Sequence, residues 1–249
     1  MMLSQEQMLF PTHAVPPAGP LPPNGEMIEV KTEDGETLHG VHLKPAADST
    51  GPKTLILGFG GNGWNGQHVA VYLHDAFPEA HVVAFHYRGY RPSTGRPSAD
   101  ALIEDAPLVL RAAAERVKPE HIVVAGFSIG SGIAASLSKE PGVGGLVLVT
   151  PFDSLKAVAA SLYPWLPIGP LFRHEIDTVA QIRGSKVPVA IIAADKDEII
   201  PPGRTEALRP HVPNLVLDQT ISGAGHNDIY GRAEFQRALR DAFAAVAAK

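Results

Sequence analysis

The chain has 249 residues, 45% of them apolar and 19% charged, which is typical of a globular protein with a sizeable core. Its 26 acidic and 21 basic side chains give a net charge of −5, which argues against a nucleic-acid partner because phosphate backbones are bound through clustered Lys and Arg. The absence of cysteine excludes disulfides, thiolate zinc sites, iron–sulfur ligation and a cysteine nucleophile.

The sequence predicts neither an N-terminal signal peptide nor a membrane-spanning helix. Residues 1–10 contain Glu6, no basic residue and too short an apolar run for a signal sequence. The uncharged run at residues 121–138 is interrupted by three glycines and predicts a buried strand followed by a helix. We therefore expect a cytoplasmic protein.

Residues 1–24 contain six prolines and are expected to form a proline-rich strap ahead of one domain at 25–249.

The domain is expected to be an α/β fold with a doubly wound, mostly parallel sheet. A period-2 pattern over residues 27–43 predicts an antiparallel hairpin turned at Asp34-Gly35. Runs of Val, Ile and Leu without polar alternation then predict strands covered on both faces. These runs lie at residues 54–59, 81–85, 121–127, 145–150 and 187–193. Helices are predicted at 98–117, 129–139 and 232–248, and this alternation of strands and helices gives the fold class.

One segment, at about residues 151–184, is longer than the other connections between predicted strands. It combines several prolines with large apolar residues, among them Tyr163, Trp165, Leu166 and Phe172. This composition predicts a short helical cap inserted over a pocket, and a buried crossover helix is the alternative.

Residues 126–130 form a G-x-S-x-G motif between a predicted strand and a predicted helix. The turn at such a junction is so sharp that Cβ atoms on either side of the serine would collide with neighbouring backbone, so glycine is needed there. The helix N-terminus also directs backbone N–H groups at charge that develops near the serine. Ser128 is therefore the candidate nucleophile, and a small residue in a tightly packed helix start is the alternative.

A serine nucleophile needs a base, and the base needs an acid that orients it. Among eleven histidines, His226 is distinguished by a Gly-rich loop that follows an apolar strand. Loops at the carboxyl ends of parallel strands are where open α/β sheets place ligand chemistry. Asp197 lies at the carboxyl end of another predicted strand and is the preferred acid, with Asp195 and Asp153 as competitors.

The order Ser128, Asp197, His226 resembles that of the α/β-hydrolase superfamily, in particular its small single-cap branch of serine-aminopeptidase-like and monoacylglycerol-lipase-like proteins. Four further segments match the family: Thr32-Glu33-Asp34-Gly35, Phe59-Gly60-Gly61-Asn62, Tyr87-Arg88-Gly89-Tyr90 with Ser93 and Gly95, and residues 195–201. Two residues depart from its pattern. Gly60 stands where many members have histidine, and Ala194 stands where many have glycine.

The resemblance implies a serine hydrolase that cleaves a carboxylic ester or thioester through an acyl-enzyme intermediate. It assigns the backbone N–H groups of Asn62 and Ile129 to the oxyanion. An apolar acyl part is expected from the apolar cap and from Trp64 near the oxyanion loop. A serine peptidase or amidase of the same fold and a non-catalytic binding protein are the alternatives. The expected partner is a small-molecule acyl substrate. Neither a cofactor nor a metal is expected, because the sequence has no H-E-x-x-H and no phosphate-binding G-x-x-x-x-G-K-[ST].

A dinucleotide site is the competing interpretation, because residues 58–63 also read G-x-G-x-x-G after a strand. However, Trp64-Asn65-Gly66 prolongs the loop where that motif requires a helix, and the next strand ends without an acidic residue for a ribose. Arg88 could meet a 2′-phosphate, but this interpretation leaves Ser128, Asp197 and His226 unexplained.

Overall fold

The computed structural model describes residues 5–46, 51–165, 168–169 and 172–247. The strands are β1 Gly25–Lys31, β2 Thr37–Leu43, β3 Thr54–Phe59, β4 His81–Phe85, β5 His121–Phe127, β6 Val143–Val149, β7 Val189–Ala194 and β8 Leu215–Ile221. The helices are α1 Gln5–Leu9, α2 Gly66–Ala76, α3 Ala99–Val117, α4 Ile129–Ser136, α5 Leu155–Leu162, α6 Thr178–Ile182, α7 Pro202–Leu208 and α8 Ala233–Ala247.

All eight strands form one sheet in the order β1-β2-β4-β3-β5-β6-β7-β8. β1 pairs antiparallel with β2, and β2 pairs antiparallel with β4, whereas every other neighbouring pair is parallel. The predicted doubly wound, mostly parallel α/β sheet is confirmed. The hairpin turns where predicted, with Gly35 at φ +90°, a backbone conformation that favours glycine.

Strands β3 to β7 are buried on both faces, as the unalternated apolar runs predict. In β3, Leu55 and Leu57 join one core layer and Ile56 joins the other. α3 and α4 cover the first layer, while α2 and α8 cover the second. Removing apolar surface from water on both faces contributes roughly 25 cal/mol per Å², which is the main force that holds the strands together. Within the described ranges, no helix is long and apolar enough to cross a membrane.

The proline-rich strap begins with α1, a short helix that the proline pattern does not predict. After it, Phe10 is 2% exposed and packs in the first core layer, while Leu21 packs against the second. Between them, the Asn65 amide donates to the Pro16 carbonyl at 2.8 Å, and the Gln67 amide donates to the carbonyls of residues 19 and 20 at 3.0 Å. Because α2 follows the carboxyl end of β3, the strap crosses the sheet at that edge.

The segment at residues 151–184 contains α5 and α6, whose starts are joined by an antiparallel bridge between Ser154 and Asp177. Phe172 packs partly buried against the first core layer, whereas Trp165 is 77% exposed. Leu166 lies outside the described residues. The exposure of Trp165 argues against a crossover that is buried throughout.

Arg88 connects three parts of the fold from the loop after β4. Its Nε and Nη2 donate to the two carboxylate oxygens of Asp105 in α3, at 3.1 and 2.7 Å. Its Nη1 also donates to Asp34 in the β1–β2 turn. The hydrogen bonds to Asp105 raise the pKa of the buried guanidinium above its usual value. A buried ion pair of this kind destabilises the fold strongly when one partner is removed.

We expect Arg88→Ala to lower the free energy of unfolding by about 3–5 kcal/mol, because it leaves the Asp105 carboxylate buried without its partner. Urea denaturation followed by circular dichroism measures the change. Arg237→Ala is the matched control, since Arg237 and Glu234 form an exposed pair at 3.7 Å whose loss costs less than about 1 kcal/mol. Equal losses in the two variants would contradict the assigned role of Arg88.

Candidate active site

Ser128 lies in a sharp turn between β5 and α4. Its backbone has φ 53° and ψ −122°, a strained conformation for a residue with a side chain. A Cβ on Gly126 would lie 2.3 Å from the Gly130 carbonyl oxygen, and a Cβ on Gly130 would lie 2.2 Å from the Phe59 carbonyl oxygen. The Ser128 N–H donates to Val149 of β6 at 2.9 Å. Both motif glycines are therefore required by close backbone contacts, as the sequence predicts.

The structure brings Ser128, His226 and Asp197 into one hydrogen-bonded chain. His226 Nε2 lies 2.9 Å from Ser128 Oγ, and His226 Nδ1 lies 2.7 Å from Asp197 Oδ2. The three residues are 8%, 5% and 6% exposed, respectively. A carboxylate accepts only, so Nδ1 carries the proton and donates to Asp197. Nε2 is then free to accept from the serine hydroxyl.

The loop after β7 contains the acid and contacts the base, which lies in the loop after β8. Asp197 Oδ1 accepts the backbone N–H groups of Ile199 and Ile200 at 2.9 and 2.6 Å, which orients Oδ2 toward the imidazole. The neighbouring Glu198 accepts the backbone N–H of His226 at 3.1 Å. The sequence interpretation missed Glu198, whose adjacency to the acid was the available signal. These four residues fix the position of the imidazole from two sides.

The competing acids have other partners. Asp195 Oδ2 lies 3.3 Å from the Ser222 hydroxyl, and Asp153 Oδ2 lies 3.2 Å from Arg204 Nη1. Among the three aspartates considered, Asp197 is the one that contacts the imidazole of His226.

The loop after β3 lies beside the candidate nucleophile. A Cβ on Gly61 would be in ordinary contact with Ser128 Cβ, at 3.6 Å. Asn62 follows in this loop, and Ile129 begins α4 directly after the serine. Because the first N–H groups of a helix have no partner within it, the Ile129 N–H is available to an external acceptor. The two residues assigned to the oxyanion thus flank Ser128 from separate elements.

Two tyrosines after β4 contact the same loop. The Tyr87 hydroxyl donates to the Gly60 carbonyl at 2.7 Å, and the Tyr90 hydroxyl donates to the Asn62 carbonyl at 2.9 Å. The sequence interpretation did not identify Tyr90 as a site residue. Its place in a segment that matches the family was a signal that Tyr90 matters to the site. Which carbonyl its hydroxyl contacts could not be predicted, because that depends on how the loop after β3 folds.

Trp64 has a different environment from the one assumed in the sequence interpretation. Its ring packs against Tyr230, Phe127 and Tyr72, with centroid distances of 4.9, 5.4 and 5.5 Å. These contacts place the indole against the core layer that α2 and α8 cover. The position of Trp64 therefore gives no support to an apolar acyl pocket.

Two of the three glycines in the dinucleotide-like motif serve helix packing, whereas a Cβ on Gly63 would meet nothing within 4 Å. A Cβ on Gly58 would lie 2.6 Å from Leu73 and 2.7 Å from Val69, both in α2. A Cβ on Gly60 would also lie 2.6 Å from Val69. Asn65 caps α2 with its own side chain, which accepts the His68 N–H at 2.9 Å. Close packing of α2 on β3 explains Gly58 and Gly60 without a nucleotide.

Comparison with known proteins agrees with this architecture. The family model of the alpha/beta hydrolase fold matches residues 55–172. Uncharacterized protein Rv2307c of Mycobacterium tuberculosis is 34% identical over 226 residues, which cover 86% of this chain and 78% of that protein. Lysophosphatidylserine lipase ABHD12 of Danio rerio is 25% identical, with 88% of this chain matched and 64% of the lipase spanned. The structure of the Pyrococcus furiosus esterase Pf2001 has a TM-score of 0.72 at 18% identity, covering 93% of this chain and 96% of the esterase.

The match to the mycobacterial protein covers most of both chains. The family model covers the part of this chain that contains β3, the motif around Ser128 and the start of the segment at residues 151–184. Together with the eight-stranded, mostly parallel sheet, these similarities show that the chain belongs to the α/β-hydrolase superfamily.

Proposed function

We propose that this protein is a serine hydrolase that cleaves a carboxylic ester or thioester. The observation that carries the proposal is the buried chain of contacts from Ser128 Oγ through His226 to Asp197, with separations of 2.9 and 2.7 Å. An unactivated serine hydroxyl is a weak nucleophile at neutral pH, and an adjacent oriented base makes it reactive. Inclusion in the superfamily supports the same assignment.

The reaction follows from the roles of the three side chains. His226 Nε2 takes the Ser128 proton as Oγ attacks the substrate carbonyl, and the resulting imidazolium is stabilised by Asp197. The same proton then passes to the departing alcohol or thiol, which leaves an acyl group on Oγ. Water repeats the sequence: its oxygen attacks the acyl carbon as His226 accepts its proton. The acyl carbon–Oγ bond then breaks, His226 returns the proton to Ser128 Oγ, and the carboxylic acid leaves.

The oxyanion of each tetrahedral intermediate is assigned to the backbone N–H groups of Asn62 and Ile129. Donors of this kind are already oriented before the reaction, so no solvent rearrangement is required as charge develops. Each is typically worth about 2.7–4 kcal/mol in the barrier. The N-terminus of α4 adds a favourable dipole at the same place.

The ester class is favoured over the amide class by the proteins that resemble this chain. One relative is named a lysophosphatidylserine lipase, and one structural neighbour is titled an esterase. An apolar acyl part is supported by the cap, where Trp165 and Leu162 expose large apolar surfaces. Exposed apolar surfaces of this kind are suited to binding an acyl chain.

Activity-based labelling tests the nucleophile. We expect a fluorophosphonate probe to label the wild-type protein at the peptide containing Ser128, as mapped by mass spectrometry, and Ser128→Ala to abolish labelling. His226→Ala should suppress it comparably, while Asp197→Ala should leave more residual reactivity.

The controls for labelling come from the same region of the chain. Ser136→Ala removes a serine of α4 whose hydroxyl donates to Ile133, and it should label like wild type. Asp195→Ala and Asp153→Ala should retain the labelling that Asp197→Ala loses. A folded wild-type protein that takes up no probe, beside a labelled reference serine hydrolase, would leave a non-catalytic binding protein as the function.

The metal dependence of ester hydrolysis tests the mechanism independently. EDTA should leave the rate unchanged, since every proposed step uses protein groups alone. Inactivation by EDTA that a divalent cation reverses would overturn the mechanism.

The chain has two tryptophans, and they offer a matched test of the cap. Trp165→Ala should change the relative rates for p-nitrophenyl esters of different chain length, with little effect on the melting temperature because the side chain is 77% exposed. Trp64→Ala should lower the melting temperature, because its ring contacts three aromatic side chains. An unchanged chain-length profile in Trp165→Ala would refute a substrate-contacting cap at this residue.

A further inference from the structure

The oxyanion loop at residues 60–63 has little intrinsic rigidity. Three of its four residues are glycine, and the fourth, Asn62, is exposed. Glycine has the largest conformational freedom of any residue, so such a loop gains order only from its contacts. An oxyanion donor nevertheless has to be held to within roughly 0.5 Å of the productive geometry.

Successive carbonyls of this loop are each engaged. The Gly60 carbonyl accepts from the Tyr87 hydroxyl at 2.7 Å, and the Asn62 carbonyl accepts from the Tyr90 hydroxyl at 2.9 Å. Between them, the Gly61 carbonyl accepts the Trp64 N–H at 3.1 Å. The orientation of each peptide plane from 60 to 63 is thereby fixed on its carbonyl side.

The middle peptide contains the proposed donor. A trans peptide directs its C=O and N–H in opposite directions. Because the Gly61 carbonyl is directed toward the Trp64 N–H, the Asn62 N–H is directed away from it. The peptides before and after this one are the two that the tyrosine hydroxyls hold. Loss of either hydroxyl therefore removes the contact that orients a peptide plane next to the Asn62 N–H.

The tyrosines are themselves well supported. Tyr90 is fully buried, and its ring meets that of Tyr87 edge to face with centroids 5.6 Å apart. Arg88, between them, is held by both oxygens of Asp105. Burial raises the pKa of Tyr87 and of Tyr90, so both hydroxyls stay protonated and able to donate over the range in which an esterase is assayed.

We propose that Tyr87 and Tyr90 are positioning residues that orient the Asn62 N–H toward the oxyanion by fixing the carbonyls on either side of it. Neither hydroxyl is free to donate to the substrate in this arrangement, because each donates its proton to a backbone carbonyl. The inference rests on the proposed hydrolase function and assigns the loop's order to two side chains outside the catalytic trio.

The test is Tyr90→Phe, which keeps the ring and removes the hydroxyl. We expect kcat for a p-nitrophenyl ester to fall about tenfold with KM unchanged, because the bond supports a donor that acts mainly on the transition state. The Ki of a trifluoromethyl ketone, whose serine adduct carries an oxyanion, should rise in parallel. The pH profile should keep its wild-type shape, since His226 and Asp197 are untouched.

Tyr72→Phe is the matched control. It also loses a tyrosine hydroxyl that donates to a carbonyl, but this carbonyl is that of Tyr230, at 3.1 Å, and not one of the oxyanion loop. Its kcat and ketone Ki should remain at wild-type values. Tyr87→Phe should reproduce the effect of Tyr90→Phe, which keeps the test decisive if one variant folds poorly.

The outcomes separate this inference from the proposed function. Absence of fluorophosphonate labelling in the wild type rejects the hydrolase itself. Normal labelling of the wild type with unchanged kcat and ketone Ki in both Phe variants rejects the positioning role alone. A rise in KM without a fall in kcat, or an equal loss in Tyr72→Phe, also rejects it, in favour of substrate binding or general loosening of the fold.

Discussion

The close approach between the start of α4 and the end of β3 is the constraint on which the site depends. At Gly130 the two backbones are so near that a Cβ would lie 2.2 Å from the Phe59 carbonyl oxygen. This contact places the turn that holds Ser128 directly against the loop that holds Asn62. It also forces Ser128 to φ 53°, a strain that typically costs about 1–3 kcal/mol and persists only because the surrounding core offsets it. Geometry that is unfavourable for the residue alone is therefore maintained by the burial of β5 on both faces.

The residues around the site divide into those that form the buried chain from Ser128 to Asp197 and those that hold that chain in place. Backbone N–H groups of Ile199 and Ile200 orient the acid, and Glu198 holds the backbone of the base. On the other side, the ion pair of Arg88 with Asp105 fixes the segment whose tyrosines contact the loop after β3. The stability of α3 packing and the order of the loop beside Ser128 are thus connected through one short stretch of chain.

Much of the fold and the placement of the site could be predicted from the sequence because they depend on local signals. Apolar runs without alternation gave the parallel strands, and loops at the carboxyl ends of such strands converge, which predicts that Ser128 and His226 meet. The choice among Asp197, Asp195 and Asp153 could not be settled in this way, because all three follow strands and only their hydrogen-bond partners distinguish them.

The packing of Trp64 into an aromatic cluster could not be predicted either, because Tyr230 is distant from it in sequence. The helix α1 lies before the first proline of the strap, where the proline pattern carries no information.

The strap is attached to the domain in a way that tolerates change in its own sequence. Asn65 and Gln67 donate to main-chain carbonyls at residues 16, 19 and 20, and a carbonyl is present whatever side chain stands there. Two of these three acceptors, at residues 16 and 20, belong to prolines, which have no N–H donor. This stretch is therefore poorly suited to extending a β-sheet with another chain. Evolutionary drift in the strap can therefore alter the surface along the carboxyl edge of the sheet, close to the site, while the two amide anchors keep the chain in the same path.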